Sequence, residues 1–442
     1  MCGCLRIGVV GAGFVGERHM DAIRRIGQAH LVAVVDTDYD LAHARSEQYG
    51  IPRCGVAIDE ILDEVDVIHN CTPNNMHVEV NTKAIRAGKH IFSEKPLALN
   101  TTESRAMLDC LRRNPKVVHA VNFNYRMNPM VQEMKQKIAA NEIGDVLLVH
   151  GAYLQDWLMF DTDYNWRLEP SVGGPLRAIA DIGSHWIDAV QTVVGSSIAE
   201  VCADLATLIP IRKKRKDGRA ATFSKGGGTD YELRPVTTED YGAVLFRMRN
   251  GARGVFYVSQ VSAGRKNCLY LEVDGTKSSL YWNQERPEEI FIGNRDSASL
   301  LMTRSPDQLS AQAASYACLP AGHPEGWNDA LLNNIRAFYR FIADGKVPGV
   351  DDCDFATFED GHRVMQIAEA ILSSSRTRSW VSVDGRERHM RRVEQLHVSR
   401  TVQIWAQRLW EQETALSRNL RLALRQPVGE FPYQGLELCV SD

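Results

Sequence analysis

Hydrophobic residues in the first third of the chain come in short β-branched runs. Between these runs lie longer stretches where they recur every three or four positions. Residues 5–10, LRIGVV, stop at a glycine, and Val15, Met20, Ala22 and Ile23 then share one side of a helix. The pattern predicts further strands over 30–35, at 54–56 and over 65–70, 90–92 and 117–121. Helices are predicted over 39–49, 76–87 and 101–113. Strands alternating with helices build a parallel sheet covered on both faces.

After Pro129 the pattern changes. A helix over 131–140 precedes the run DVLLVHGAY (145–153) and a long irregular stretch, and a second helix covers 181–194. Strand-like segments follow at 201–205, 241–248, 253–261, 268–273, 278–282 and 289–292. Asn250-Gly251 and Asp274-Gly275 are hairpin signals between them. This predicts an antiparallel sheet with helices on one face, closed by helices over 327–343 and 358–372 and a strand at 380–383. Residues 386–442 are rich in arginine, lack lysine and carry a loose helical pattern. They read as an appended helix or a partner-binding one.

A chain of 442 residues exceeds one ordinary core and fits two domains with additions. The net charge of −4 gives no reason to expect nucleic acid or an anionic membrane as partner. The single basic run, Arg212 to Lys216, reads as a solvated loop because glycines 226–228 and Pro235 surround it. Ten cysteines without CxxC spacing describe reduced thiols in a cytoplasmic protein and no metal site. No leader pattern opens the chain, and no apolar segment is long enough to span a membrane.

The strongest chemical signal is Gly11-x-Gly13-x-x-Gly16, directly after a strand and at the opening of a helix. The first glycine permits a tight turn, the second lets a pyrophosphate approach the backbone, and the third allows close helix–strand packing. Phe14 and Val15 lie within this turn. Asp36, at the end of the next strand, is placed to accept hydrogen bonds from an adenine ribose. Asp36-Thr37-Asp38 offers no arginine for a 2′-phosphate, so NAD is expected rather than NADP. Thr72, Pro73, Asn74 and His77 follow another strand and become cofactor neighbours at the carboxyl edge of the sheet. Glu94-Lys95-Pro96 ends the next strand at the same edge. Asp181 and His185, four apart on a predicted helix, share a face suited to proton transfer.

These motifs, in this order, resemble the glucose–fructose oxidoreductase/inositol dehydrogenase/MocA family from about residue 5 to Val383. The resemblance implies a dinucleotide-binding Rossmann domain over 1–127. It further implies an α+β substrate and oligomerisation domain over 128–385, with a large, mainly antiparallel open sheet. Assembly through that sheet would give a homodimer or homotetramer. The resemblance also places Lys95, Asp181 and His185 at catalytic positions, Glu94 and Arg126 near the cofactor, and suggests a cis Lys95–Pro96 bond. The 386–442 extension departs from the usual ending.

The expected reaction is reversible oxidation of a secondary alcohol on a sugar, sugar derivative or cyclitol. His185 removes the hydroxyl proton, Lys95 stabilises the reacting oxygen, and Asp181 holds hydroxyl and imidazole in register. Substrate contacts are expected from Tyr153, Gln155, Trp166 and Arg167, amid Asp156, Trp157, Tyr164 and Asn165. An aromatic core patch explains that stretch equally well. His323, with Glu325 and Trp327, is a further pocket candidate. Two other readings are a glycosidase using NAD transiently and a non-catalytic NAD-binding sensor. Retention of Lys95, Asp181 and His185 speaks against the sensor.

Overall fold

The computed structural model describes residues 4–216 and 230–384. Residues up to 385 form one compact unit, and the 386–442 extension lies outside the described residues. The first six strands are β1 (Leu5–Val10), β2 (Ala29–Val35), β3 (Arg53–Gly55), β4 (Val67–Asn70), β5 (His90–Ser93) and β6 (His119–Val121). They form one parallel sheet in the order β3-β2-β1-β4-β5-β6. Helices α1 (Phe14–Arg24), α2 (Tyr39–Tyr49), α3 (His77–Arg86) and α4 (Thr101–Arg112) connect them. The order reverses between β1 and β4, which opens a crevice at their carboxyl ends.

Chain direction then leads through α5 (Pro129–Ala139) into β7 (Val146–Leu154), the single turn α6 (Pro170–Gly173), and α7 (Ser184–Val194). Asn128 caps α5 by accepting from the Met130 amide, with proline at the first helical position. The remaining strands are β8 (Ile198–Ala206), β9 (Ile211–Arg215), β10 (Tyr231–Pro235), β11 (Tyr241–Met248), β12 (Arg253–Ser259), β13 (Cys268–Gly275), β14 (Ser278–Asn283), β15 (Arg286–Asn294), β16 (Leu300–Thr303) and β17 (Val381–Ser382). Before β17 come the short α8 (Ala311–Ala314) and the long α9 (Trp327–Ala343) and α10 (Phe358–Thr377).

Nine strands form the second sheet, ordered β16-β15-β14-β13-β7-β12-β11-β8-β17. It is antiparallel except where β7 runs parallel to β12. Alternation along the strands sends Val149, Phe256, Leu271 and Trp282 into the core under α5, α7 and α10. Trp186 of α7 stacks on Phe256 with centroids 4.5 Å apart and donates its indole N–H to the Tyr270 carbonyl at 2.9 Å. A Cβ on Gly151 would lie 2.7 Å from that indole nitrogen and 2.2 Å from the Tyr270 oxygen, so only glycine lets α7 seat this closely. The opposite face leaves Leu148, Leu245, Val255, Phe291 and Leu301 exposed.

Two features differ from the sequence expectation. The basic run is no solvated loop: residues 211–215 are strand β9, paired with β10, and the Arg212 side chain is fully buried. Helix α9 returns to the parallel sheet, where Leu331, Ile335 and Phe338 pack with Ile7, Val9 and Phe92.

Candidate active site

The glycine turn after β1 is shaped by backbone contact. Gly11 has φ +97°, and a Cβ there would lie 2.6 Å from the Cys71 carbonyl. A Cβ on Gly16 would lie 1.9 Å from the Gly11 oxygen, whereas one on Gly13 would meet nothing within 4 Å. The crevice is therefore closed around the turn and open above Gly13. Helix α1 starts there without a side-chain cap, leaving its first N–H groups for an anion. Phe14 is half-exposed at this opening and Val15 half-buried behind it. The Asp36 carboxylate is oriented by the Ala12 amide at 2.7 Å and the Asp38 amide at 2.9 Å. These residues fit a dinucleotide.

The neighbouring turns are tied to one another. Thr72 donates its hydroxyl to Asn70 at 2.6 Å, and the Asn74 amide reaches the Gly173 carbonyl at 2.9 Å. Pro73 precedes this turn in extended conformation. The buried His77 ring lies between the carbonyl oxygens of Pro96 (2.7 Å) and Thr72 (3.0 Å), so it joins the two turns. The Lys95–Pro96 peptide is cis, as the resemblance suggested.

From this edge Lys95 reaches across to the second half of the chain. Its Nζ donates to Asp181 Oδ1 and to the Asp181 carbonyl, both at 2.8 Å. Asp181 belongs to a π-turn, Ile179–Gly183, that leads into α7. Its Oδ2 accepts from Gln260 at 2.9 Å, and Arg167 Nε lies 3.4 Å from Oδ1. Burial opposes ionisation of Asp181, but Lys95 and Arg167 hold its pKa well below the usual carboxylate range. His185 is 8% exposed, with its ring 4.9 Å from Tyr125 and 5.8 Å from Phe123. Burial, then the Lys95 charge, push its pKa down to about 3, so the imidazole is neutral. No hydrogen bond joins Asp181 to His185 among the described residues. The expectation that Asp181 holds the imidazole is thus corrected: the carboxylate is drawn to Lys95 and Gln260, and aromatic rings seat the histidine.

Glu94 and Arg126 are engaged by protein partners. Glu94 Oε1 accepts from Asn122 at 2.6 Å and contacts His19 Nε2 at 3.0 Å. Burial favours its protonated form, yet His19, Lys95 and Asn122 bring its pKa to about 2. His19 in turn meets His69, whose other nitrogen meets the Tyr339 hydroxyl. Arg126, expected beside the nicotinamide, forms a bidentate pair with Asp188, its Nε 2.9 Å from Oδ2. It thereby fastens the turn between β6 and α5 to α7.

Beyond Asp181, Tyr153 donates to Asn267 at 2.6 Å and meets the Tyr125 hydroxyl at 2.7 Å. Gln155 donates to the same Asn267 oxygen at 3.0 Å and accepts the Trp157 indole N–H at 2.8 Å. Arg167 lies over the Trp166 ring at 4.4 Å and the Trp157 ring at 5.7 Å. Asp156 pairs with Lys266, Tyr164 donates to Glu169, and Asn165 caps the turn at Arg167. Trp327 is partly buried and packs against the cores of both sheets. His323 stays exposed with its carbonyl bound by Arg304, and buried Glu325 pairs with the same arginine. Neither joins the cluster around Asp181. Sequence reasoning missed Gln260 and Asn267, which sit in the loop between β12 and β13 without a motif. Tyr125 precedes Arg126 in the helical turn after β6, and its aromatic–polar character was the available signal.

Residues 5–123 match the oxidoreductase family's NAD-binding Rossmann fold, and residues 131–281 match the GFO/IDH/MocA C-terminal domain. The chain is 30% identical over 402 residues to levoglucosan dehydrogenase of Pseudarthrobacter phenanthrenivorans, covering 86% of this chain and 98% of that one. It is 31% identical to D-glucoside 3-dehydrogenase of Escherichia coli, covering 84% and 96%. A solved levoglucosan dehydrogenase, in complex with NADH and L-sorbose, superposes with TM-score 0.76 at 30% identity, covering 86% and 98%. The chain belongs to the Gfo/Idh/MocA oxidoreductase family.

As a member of that family it is an oxidoreductase with an NAD-binding Rossmann domain. No helix among the described residues is long and apolar enough to cross a membrane.

Proposed function

We propose that the enzyme reversibly oxidises a secondary hydroxyl of a sugar, sugar derivative or cyclitol, with Lys95, Asp181 and His185 handling the proton. Bound NAD supplies the hydride acceptor. The observation that carries this reading is the Lys95 ammonium fixed at 2.8 Å on Asp181 beside a neutral His185, at the carboxyl edge of the dinucleotide crevice. Lys95 donates to the substrate oxygen and stabilises the negative charge that develops on it. His185, its lone pair available because burial keeps it unprotonated, accepts the hydroxyl proton. Asp181 holds Lys95 in place and neutralises its charge until substrate arrives.

Arg167 over Trp166, with Tyr153 and Gln155 fixed through Asn267, offers stacked faces and polar edges to a polyol. The names of the relatives, which act on levoglucosan and on D-glucosides, support a pyranose or anhydrosugar as substrate class. The exposed apolar face of the second sheet supports assembly as a homodimer or homotetramer. We also assign residues 1–127 and 128–385 to cofactor and substrate roles, and the enzyme to the cytoplasm.

The test follows NADH absorbance across a panel of sugars, cyclitols and glycosides, with NAD and NADP compared. Net NADH with a ketone product is the expected result. Glycoside cleavage without net NADH would overturn it in favour of transient oxidation. NAD binding without turnover of any panel member would favour a sensor.

A further inference from the structure

Arg212, in the basic run that sequence reading left on the surface, is fully buried and bound at both terminal guanidinium nitrogens. Nη1 donates to the carbonyl oxygens of Leu158 (2.9 Å), Phe160 (3.0 Å) and Asp163 (3.1 Å). Those carbonyls belong to the loop that carries Trp157, Trp166 and Arg167. Nη2 donates to Asp240 Oδ1 at 2.6 Å. Asp240, also fully buried, is bonded by Arg177 on the same oxygen and by the amides of Leu208 (2.8 Å) and Ile209 (2.9 Å) on the other.

Arg177 continues the chain: its Nη1 donates to Gln260 Oε1 at 3.3 Å. A guanidinium can only donate, so the oxygen of the Gln260 amide must face it. The NH₂ group is thereby directed at Asp181 Oδ2, 2.9 Å away. With Oδ2 held, Oδ1 is the oxygen presented to Lys95 and Arg167. One end of this buried network lands on the catalytic carboxylate and the other on the loop beside it. Burying so much charge is poor value for stability alone, since well-packed apolar residues do as well or better.

We propose that Gln260 and Arg212 are positioning residues. Gln260 sets the rotation of the Asp181 carboxylate toward Lys95. Arg212, anchored on Asp240, holds the loop that places Arg167, stacked over Trp166, against Asp181, and so governs substrate fit. The proposal rests on the dehydrogenase reading above, and assigns the two residues to different kinetic parameters.

The experiment compares wild type, Gln260→Met, Arg212→Met and Arg212→Lys for thermal midpoint, NADH binding, kcat and KM on a sugar that wild type oxidises. Chymotrypsin cleavage between residues 157 and 160 is followed in parallel. Gln260→Met should lower kcat about tenfold to a hundredfold while the NADH dissociation constant stays put. Arg212→Met should raise substrate KM about tenfold, on the same scale of argument, and open the loop to chymotrypsin. If Arg212→Met does not fold, Arg212→Lys replaces it: lysine keeps a charge on Asp240 but cannot serve three carbonyls, so KM should still rise. Wild-type kcat in Gln260→Met, or kcat and KM falling together in step with the thermal midpoint, would overturn the proposal. If wild type oxidises no sugar, the dehydrogenase reading fails separately. The protease arm still decides Arg212: equal cleavage of wild type and Arg212→Lys overturns its role, and selective cleavage of the variant upholds it.

Discussion

The six-stranded sheet buries both faces, under α3 and α4 on one side and α1 and α9 on the other. The nine-stranded sheet buries one face under α5, α7 and α10 and leaves leucine, valine and phenylalanine exposed on the other. Their contributions to the site differ in the same sense. The parallel sheet supplies backbone: a glycine turn, an uncapped helix start and one lysine at a strand end. The mixed sheet and its loops supply side chains, with Gln260, Asn267, Tyr153 and Arg167 hydrogen-bonded or stacked around Asp181 and His185. Backbone recognition suits a cofactor whose phosphates look alike to every enzyme that binds it. Side-chain recognition suits a substrate that must be told from its epimers.

The sharpest break of this contrast is Gly16→Ala. Its Cβ would lie 1.9 Å from the Gly11 carbonyl oxygen, and backbone cannot yield there. We expect loss of NADH binding together with a lowered thermal midpoint, read by fluorescence titration and calorimetry. In the second sheet the equivalent insult is Trp186→Ala, which removes the ring stacked on Phe256. It should destabilise by about 3–5 kcal/mol in denaturant unfolding, as large aromatic truncations do.

A pH series probes both halves together. Burial lowers the pKa of His69, His77 and His119 around the first sheet, and of His185 and His362 in the second half. Each resists protonation when folded, whereas the unfolded chain takes up the proton near pH ~6.5. The stability they confer is therefore complete above about pH 6.5 and is lost as pH falls toward the folded values. The thermal midpoint should drop steadily between about pH 6.5 and 4. A flat midpoint over that range would show the histidines charged in the folded state.

Two mild substitutions sharpen the contrast. Gly13→Ala adds a Cβ that meets no protein atom within 4 Å, so the thermal midpoint should hold while NADH binding weakens. Val255→Lys on the outer sheet face should change stability by no more than about 0.5 kcal/mol. In sedimentation it should reduce the assembled fraction if that face joins copies of the chain.

The first sheet was legible because its signals are local. Each strand except β3 carries a short apolar run, helices follow most of them within a few residues, and the glycine, Thr-Pro-Asn and Glu-Lys-Pro turns sit at strand ends. The second sheet was legible in its strands except the edge strand β16, but not in its assembly. β7 lies between β12 and β13, more than a hundred residues further along, and no local pattern encodes that pairing. Arg212 was misread because charge normally marks surface, and its neutralising partners, Asp240 and three carbonyls, are distant in sequence. Gln260 and Asn267 carry no motif; only the folded loop brings them to the site. Asp181 and His185 were found together by spacing, but spacing could not show that Lys95 and Gln260 hold the carboxylate.

The central claim is that the two halves meet chemically at Lys95, Asp181 and His185. It is tested most directly by single-turnover NADH formation in Lys95→Ala and His185→Ala, at saturating NAD and a sugar that wild type oxidises, with NADH binding measured on the same samples. The account predicts near-native NADH binding in both variants and a rate reduced by about 10²–10⁴. Turnover near the wild-type rate in both variants, with NADH binding intact, would contradict it.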